Sequence, residues 1–432
     1  VTNYQQVQAL HDDSPAPDRV QMARRIAVFV PSLEGGGAER SMLSLARAMV
    51  AHGREVDLVV CRLKGAYVNS VPSGVRLVVL QAESLLRARL SALLANRGWP
   101  GPVLRAVVLP GKSAPEVEYT ASLKDYLRER KPDVLLSAMT YTNLAAIWAR
   151  NAVDPALPVA VSERIALSRH CENASSRRKW RWRYLPALVR QNYPSADAII
   201  AVSSQVAEDL VAITGMPPGA VQTIYNPVVD DRLRLQAAEA LSHPWFADDE
   251  PPVLIGVGRL AEQKDFPTLV RAFARVRARR PVRLVILGEG RQRDRLQELA
   301  VQLGVQEDLD MPGFVDNPFQ YMSRAAVLVQ SSTYEGLPGV LIQALACACP
   351  VVSTNCPGGA AEILDNGRYG ALVPVGDEQA LASAIGETLD DPPDRGLLLE
   401  RAEQFAVDTA TQSYLKVLDA LVARRHRTAG TY

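Results

Sequence analysis

Residues 331–350, SSTYEGLPGVLIQALACACP, carry the densest set of groups able to do chemistry. Glu335 is followed at once by Gly336, Leu337, Pro338 and Gly339, and then by an apolar-periodic run that predicts a helix reaching towards Pro350. The first turn of such a helix has unpaired N–H groups and a partial positive charge, which suit a phosphate or pyrophosphate. Glu335 stands just outside that turn, where a carboxylate can accept hydrogen bonds from sugar hydroxyls. Gln343 comes eight positions later, about 12 Å along a helix at 1.5 Å per residue. That is the span from a sugar ring to a ribose across a pyrophosphate, so type and spacing together imply a cradle for a nucleotide-sugar.

Two cations add to this. Arg259 and Lys264 follow the apolar strand PVLIGVG, at the edge where parallel sheets bind ligands. Charge that develops on a departing pyrophosphate is best met by preorganised cations, Arg as a fork and Lys as a point charge. Gly35, Gly36 and Gly37 follow another strand and open a helix, so that backbone can approach a phosphate closely. A nicotinamide fingerprint does not fit there, because Arg40 occupies the place of its third small residue.

The stretch beginning at Glu335 resembles the Glu-(x)7-Glu signature of the large group 1 family of retaining GT-B glycosyltransferases, with Gln343 in place of the second Glu. GVGRLAEQKDF (256–266) is similar to that family's Gly-Arg-Leu-x-x-x-Lys segment. LGEGRQRDRL (287–296), GFVDNP (313–318) and LVPVGD (372–377) follow in the family's order, and VPSLEGGGAER (30–40) resembles its N-terminal Gly-rich loop. The resemblance implies an α/β GT-B fold: two Rossmann-like, doubly wound domains facing across a cleft. It implies transfer with retention, Arg259 and Lys264 on the diphosphate, Glu335 on the donor sugar and Gln343 on the ribose. Gly36, Gly37, Gly288, Phe314, Val315, Gly336 and Leu337 would complete the donor site. Gln offers one carbonyl acceptor where Glu offers two charged oxygens, so the ribose contact is expected to be weaker. Ala348 stands where relatives usually carry Gly, a change expected to bear on packing.

A general base is harder to find. His11, His52, His243 and His426 lie away from the motif-bearing strand ends, and His170 is expected on an exposed loop near the cleft. Thr140, Tyr141, Thr142 and Asn143 occupy the strand end where many relatives have a histidine. Thr140, Asn143, Glu163, Arg164 and His170 are the acceptor-side candidates. If the acceptor attacks on the face that the diphosphate leaves, a phosphate oxygen can take the proton and no base is required. The one Asp-x-Asp spacing, Asp308 and Asp310, lies outside the quoted donor motifs, so metal-independent catalysis is expected, with no cofactor beyond the donor.

Composition sets the frame. The chain has 432 residues, 48% hydrophobic and 22% charged, which suits two globular domains. No apolar run is long enough for a membrane span. The polar opening, residues 1–22, reads as a disordered N-terminus and not as a signal peptide. Five scattered cysteines with no paired spacing suggest buried thiols in a reducing cytoplasm. To residue 228 there are 27 Lys and Arg against 19 Asp and Glu, and beyond it 21 against 28, so the first half faces an anionic partner. SSRRKWRWRYLPALVR (175–190) holds Arg177, Arg178, Lys179, Arg181, Arg183 and Arg190 with no acid. Trp180, Tyr184 and Leu188 fall on one helical stripe. Such a segment suits peripheral contact with an anionic membrane at its inner face, or an aromatic face packed on the domain; it is too short and unframed for nucleic acid.

Strand–helix alternation occurs twice, first from RRIAVFVPSL (24–33) and again from PPVLIGVG (251–258). The expected organisation is an acceptor-side domain over 23–228, a linker over 229–249 and a nucleotide-sugar domain over 250–405. A C-terminal helix over 406–432 could return to the first domain. The favoured reading is a glycosyltransferase that moves a sugar from a UDP-sugar to a glycan or polyprenyl-linked acceptor in cell-surface polysaccharide synthesis. Alternatives are a GT-B-fold nucleotide-sugar epimerase, which needs no acceptor, and an inactive nucleotide-sugar-binding protein.

Overall fold

The computed structural model describes residues 22–34, 36–96, 98–109, 115–172 and 179–429. The N-terminal segment before residue 22, Gly35, Arg177 and Arg178 lie outside the described residues.

Two parallel sheets form the framework. The first contains β1 (Arg25–Val30), β2 (Glu55–Val60), β3 (Val75–Val79), β4 (Val134–Ala138), β5 (Val159–Glu163), β6 (Ala198–Ala201) and β7 (Val221–Thr223), in the order β3-β2-β1-β4-β5-β6-β7. The second contains β8 (Val253–Val257), β9 (Arg283–Leu287), β10 (Leu309–Gly313), β11 (Val327–Gln330), β12 (Val351–Thr354) and β13 (Ala371–Val373), ordered β10-β9-β8-β11-β12-β13. β1 pairs with β2 and β4 in register Ile26 to Val56 and to Val134. β1 is buried on both faces, which explains its unbroken apolar run. Ile26, Val28 and Val30 enter one core and Ala27 and Phe29 the other.

Each sheet reverses its strand order once, between β1 and β4 and between β8 and β11. Parallel sheets open a crevice at such switch points, beyond the carboxyl ends of the strands. The glycine loop after β1, Thr140 after β4, Arg259 and Lys264 after β8, and Glu335 after β11 all occupy these positions.

The chain passes between the domains twice, side by side. Val228 and Val229 N–H groups donate to the Phe405 carbonyl at 3.1 Å, and Val407 N–H donates to the Val229 carbonyl at 2.9 Å. The connector contains a helix, Asp231–Ala238, capped by Asp230, whose carboxylate accepts from Leu233 N–H at 2.9 Å. Asn317 and Ser323 side chains donate to the carbonyls of Gln236 and Ala237 at 2.8 Å each, and so fix that helix to the second domain. Beyond the second crossing, the helix Val407–Ala429 lies on the first sheet. Tyr414, Leu415 and Leu418 share a core with Ile26 and Val28, and the Asp419 carboxylate accepts from Ala23 N–H at 2.8 Å and from Arg54.

The helix predicted to run towards Pro350 is shorter. It spans Gly339–Ala346, and Ala348 follows in the left-handed region at φ 54°. Only the second half of the interval from Glu335 to Gln343 is helical, so the 12 Å estimate does not apply. Position 348 is therefore constrained by the backbone rather than by packing: a C′ residue with positive φ is the place where glycine is favoured. All five cysteines are free and buried, and burial pushes the thiols of Cys171, Cys347 and Cys356 up to about 12.

Candidate active site

Glu335 sits in the loop between β11 and the helix Gly339–Ala346, and is buried. The loop is held from three sides. Thr333 N–H donates to the Gln263 carbonyl and Glu335 N–H to the Pro357 carbonyl, both at 2.8 Å. The third side is Gly358, at φ 126°, where a Cβ would stand 2.5 Å from the Glu335 carbonyl oxygen. Glu335 Oε1 accepts from Lys264 Nζ at 2.6 Å and from Ser332 Oγ at 2.7 Å. Among the described residues its Oε2 receives only Gln263 Nε2, at 3.4 Å. One oxygen is saturated; the other retains most of its accepting capacity.

Lys264 ends the short turn Glu262–Lys264, and Asp265 follows at φ 46° before the helix Phe266–Arg277. This turn presents the ammonium to the Glu335 loop, so the cation assigned to phosphate and the carboxylate assigned to sugar form one ion pair. Two of the three ammonium protons remain for an anion. Arg259 is exposed on the loop after β8. That loop is braced from below, where Leu260 N–H donates to the Glu289 carbonyl and Gly258 N–H to the Leu287 carbonyl, both at 2.9 Å. A Cβ on Gly288 would stand 1.9 Å from the Gly258 carbonyl oxygen, which is why LGEG needs its first glycine.

The first domain touches this site directly. A Cβ on Gly336 would lie 2.0 Å from the Arg164 carbonyl oxygen, so only glycine permits the approach. Ser203 Oγ donates to the Gly336 carbonyl at 3.0 Å, Gly358 N–H to Gln205 Oε1 at 2.8 Å, and Asn226 Nδ2 to the Leu337 carbonyl at 3.4 Å. The Arg164 guanidinium donates to Asn226 in turn. Across from Arg259, Glu39 occupies the first turn of the helix Gly37–Ala51. Burial raises its carboxyl above the usual range, while its own backbone hydrogen bond, then Arg259 and Arg164, pull it down. Gly36 leaves room for that side chain, since a Cβ there would meet Glu39 Oε2 at 2.3 Å.

The acceptor-side candidates separate into two groups. Thr140, Asn143 and Glu163 are buried and bonded to one another's surroundings instead of facing the cleft. Glu163 accepts from Thr140 Oγ1 at 3.0 Å and from the Tyr193 hydroxyl at 2.8 Å, and Asn143 Nδ2 donates to that same hydroxyl at 3.0 Å. Burial pushes Glu163 up to about 7 against the pull of the Tyr193, Thr140 and Arg164 N–H bonds. Met139, just before Thr140, is held at φ 77°. These residues position the strand ends, whereas Arg164 and His170 reach the second domain.

His170 is not the exposed loop residue expected. It is half-buried on the helix Leu167–Glu172, 3.3 Å through Nδ1 from the Tyr334 hydroxyl, with its ring 4.4 Å from that of Trp182. Burial, Lys179 and Arg181 hold it below its ordinary value. The stripe over 180–188 follows the packed alternative where its side chains are described. Leu188 is fully buried in the first domain, and Tyr184 lies under the Arg105 guanidinium at 5.4 Å. Packing, not exposure, explains that periodicity. On the donor side Leu337 is buried, Phe314 is half exposed, and Val315 and Gln343 are half-buried.

Two family descriptions divide this architecture between them. Glycosyltransferase Family 4 matches residues 35–232, and Glycosyl transferases group 1 matches 238–405. The chain belongs to the group 1 glycosyltransferases. Within this family it is 31% identical, over 53% of its length, to a Campylobacter jejuni N-acetylgalactosamine-N,N'-diacetylbacillosaminyl-diphospho-undecaprenol 4-alpha-N-acetylgalactosaminyltransferase, and spans 60% of that relative. A second C. jejuni alpha-1,4-N-acetyl-D-galactosaminyltransferase, acting on a GalNAc-containing diNAcBac-PP-undecaprenol, is 26% identical over 91% of this chain and 98% of its own. Among solved structures, Anabaena Alr3699/HepE in complex with UDP-glucose superposes with a TM-score of 0.71 at 18% identity, covering 92% of this chain and 99% of that one. The GT-B fold of this group 1 chain is thus established.

Sequence reasoning missed Ser332 and Gln263, the second and third donors to Glu335, and Tyr193, Tyr334 and Asn226. Ser332 and Tyr334 lie within three positions of Glu335, and Gln263 beside Lys264, so all three were open to discovery; Tyr193 and Asn226 come from distant elements.

Proposed function

We propose that this chain transfers a glycosyl group, with retention, from a UDP-sugar to a glycan carried on a lipid diphosphate. The observation that supports this most is the convergence of Arg259, Lys264 and the buried Glu335 at the β8/β11 switch point, beside the helix Gly339–Ala346. The C. jejuni relatives, named for undecaprenol diphosphate acceptors, suggest the acceptor class.

In this reading the diphosphate lies over the first turn of that helix and between Arg259 and Lys264. Glu335 Oε2 accepts from a donor-sugar hydroxyl, and Gln343 contacts the ribose. As the bond from the anomeric carbon to the phosphate oxygen breaks, charge moves onto the diphosphate, where Lys264 and Arg259 gain attraction. The acceptor hydroxyl attacks on the face just vacated, and its proton passes to the departing phosphate oxygen. No metal or further cofactor takes part. The reaction places the enzyme beside a bilayer, at the inner face of the membrane.

Incubating the protein with radiolabelled UDP-sugars and a set of polyprenyl-diphosphate glycans tests the proposal. The expected result is label in the lipid fraction, with α stereochemistry when the donor is α-linked. Interconversion of the donor without an acceptor would instead support an epimerase, and binding without either reaction an inactive protein.

A further inference from the structure

The helix Leu85–Ala95 is turned the wrong way for a globular surface. Its small residues, Ala88 and Ala92, are fully buried, whereas Leu86, Leu90 and Leu94 are 80%, 56% and 78% exposed. These three recur every fourth residue and so form one outward stripe. Trp99 and Leu109, just beyond the helix, are 77% and 61% exposed. An outward leucine stripe followed by an exposed tryptophan is the kind of apolar surface that marks an interaction site.

Charge selects the partner. Between Glu83 and Glu116 the chain has no acidic residue but has Arg87, Arg89 and Arg105 among the described residues, and Arg97 and Lys112 outside them. Lys179 and Arg183 adjoin the same surface, because Arg105 stacks on Tyr184 and Asn192 Nδ2 donates to Asn96 Oδ1 at 3.3 Å. Leucines that enter an acyl layer, a tryptophan at headgroup depth and surrounding cations match an anionic phospholipid surface. Among the described residues no helix is long and apolar enough to cross a membrane, which leaves surface docking as the mode.

Topology places this face usefully. The segment lies between the carboxyl end of β3 and the helix Thr120–Arg130 that returns to β4, on the sheet edge that also bears the glycine loop and Thr140. We infer that the stripe Leu86, Leu90 and Leu94, with Trp99, docks the enzyme on an anionic bilayer with the cleft opening beside it. The inference rests on the reading that the acceptor is lipid-linked, and it centres the membrane contact on Leu86 to Trp99, with Lys179 and Arg183 of the 175–190 segment at its margin.

Co-sedimentation of the full chain with phosphatidylcholine vesicles, with and without phosphatidylglycerol, tests it in the absence of donor. Binding should require phosphatidylglycerol, fall with salt, and weaken roughly tenfold or more when Leu86, Leu90 and Leu94 are all changed to Ser. Because these side chains are exposed, the variant should keep the wild-type melting temperature. Trp99→Phe should independently remove a blue shift of tryptophan emission on vesicle addition. Equal binding by the serine variant, or no binding to anionic vesicles, overturns the inference, as does a dimer in solution that the serine variant dissociates. Vesicle binding without glycosyl transfer would refute the proposed function alone, and transfer to a lipid acceptor without vesicle binding would refute this inference alone.

Discussion

In the proposed reading Lys264 and Glu335 are the residues on which the chemistry turns, and their pairing sets an order of events. The ammonium is already beside the carboxylate at 2.6 Å, so an arriving diphosphate finds a cation that is held in place. Lys264→Ala and Arg259→Ala should each lower turnover by about 10²-fold or more, with smaller losses in donor affinity; steady-state rates and calorimetry with the same UDP-sugar measure both. Gln343→Ala should weaken UDP and UDP-sugar by similar factors, because the ribose is common to both ligands, whereas unchanged UDP affinity would remove Gln343 from the site. Glu163 offers a prediction of a different kind. Its value rises from 4.5 to about 7 on folding, so the unfolded chain releases that proton first and the folded state is penalised as pH climbs. Its contribution is fully present below pH 4.5 and is lost by about pH 7, on the order of 3 kcal/mol at about 1.4 kcal/mol per unit. Urea unfolding of wild type and Glu163→Gln across that interval should show a difference in stability that changes with this sign.

At the scale of elements, the loop from β11 to the helix Gly339–Ala346 is shaped by what stands at its ends. Gly336 and Gly358 admit the Arg164 and Glu335 carbonyl oxygens, and Ala348 closes the helix in a conformation that costs an L-residue about 1–2 kcal/mol. Ala348→Gly should therefore raise stability by about 1 kcal/mol after the greater freedom of glycine in the unfolded chain is deducted, read as a higher urea midpoint with unchanged turnover. This loop also shows what a sequence can disclose. The placement of Arg259, Lys264 and Glu335 at the strand ends was legible because each belongs to a short run in which neighbours along the chain are neighbours in space. Glu163, Thr140 and Tyr193 were not, since a hydrogen-bonded trio assembled from three elements leaves no local spacing to read. His170 failed for the same reason: its partner Tyr334 is 164 positions away. The outward leucines of 85–95 could not be read from sequence at all, because period alone cannot tell an inward stripe from an outward one.

For the whole molecule, the alternation of strands and helices disclosed both sheets, while the route of the chain between them needed coordinates. The helix Val407–Ala429 belongs to the first sheet's core although it follows the whole second domain. Leu418→Ala should accordingly cost about 2–5 kcal/mol. Hydrogen exchange should then speed in β1 and leave β8 protected, despite the mutation lying far beyond β8 in sequence. That arrangement bears on how the protein is made. Ala23 and Asp419, joined by a hydrogen bond, are 396 residues apart, and at about 5–20 residues per second a ribosome needs roughly 20–80 s to supply the second after the first. Throughout that interval the helix Gly37–Ala51 and β4 lack the apolar helix that packs on them, and the second domain has every residue it needs before the first does. A chain whose leading domain is completed last should depend on chaperone protection during synthesis, and slowing translation after β13 should lengthen the time for which that apolar face stays bare.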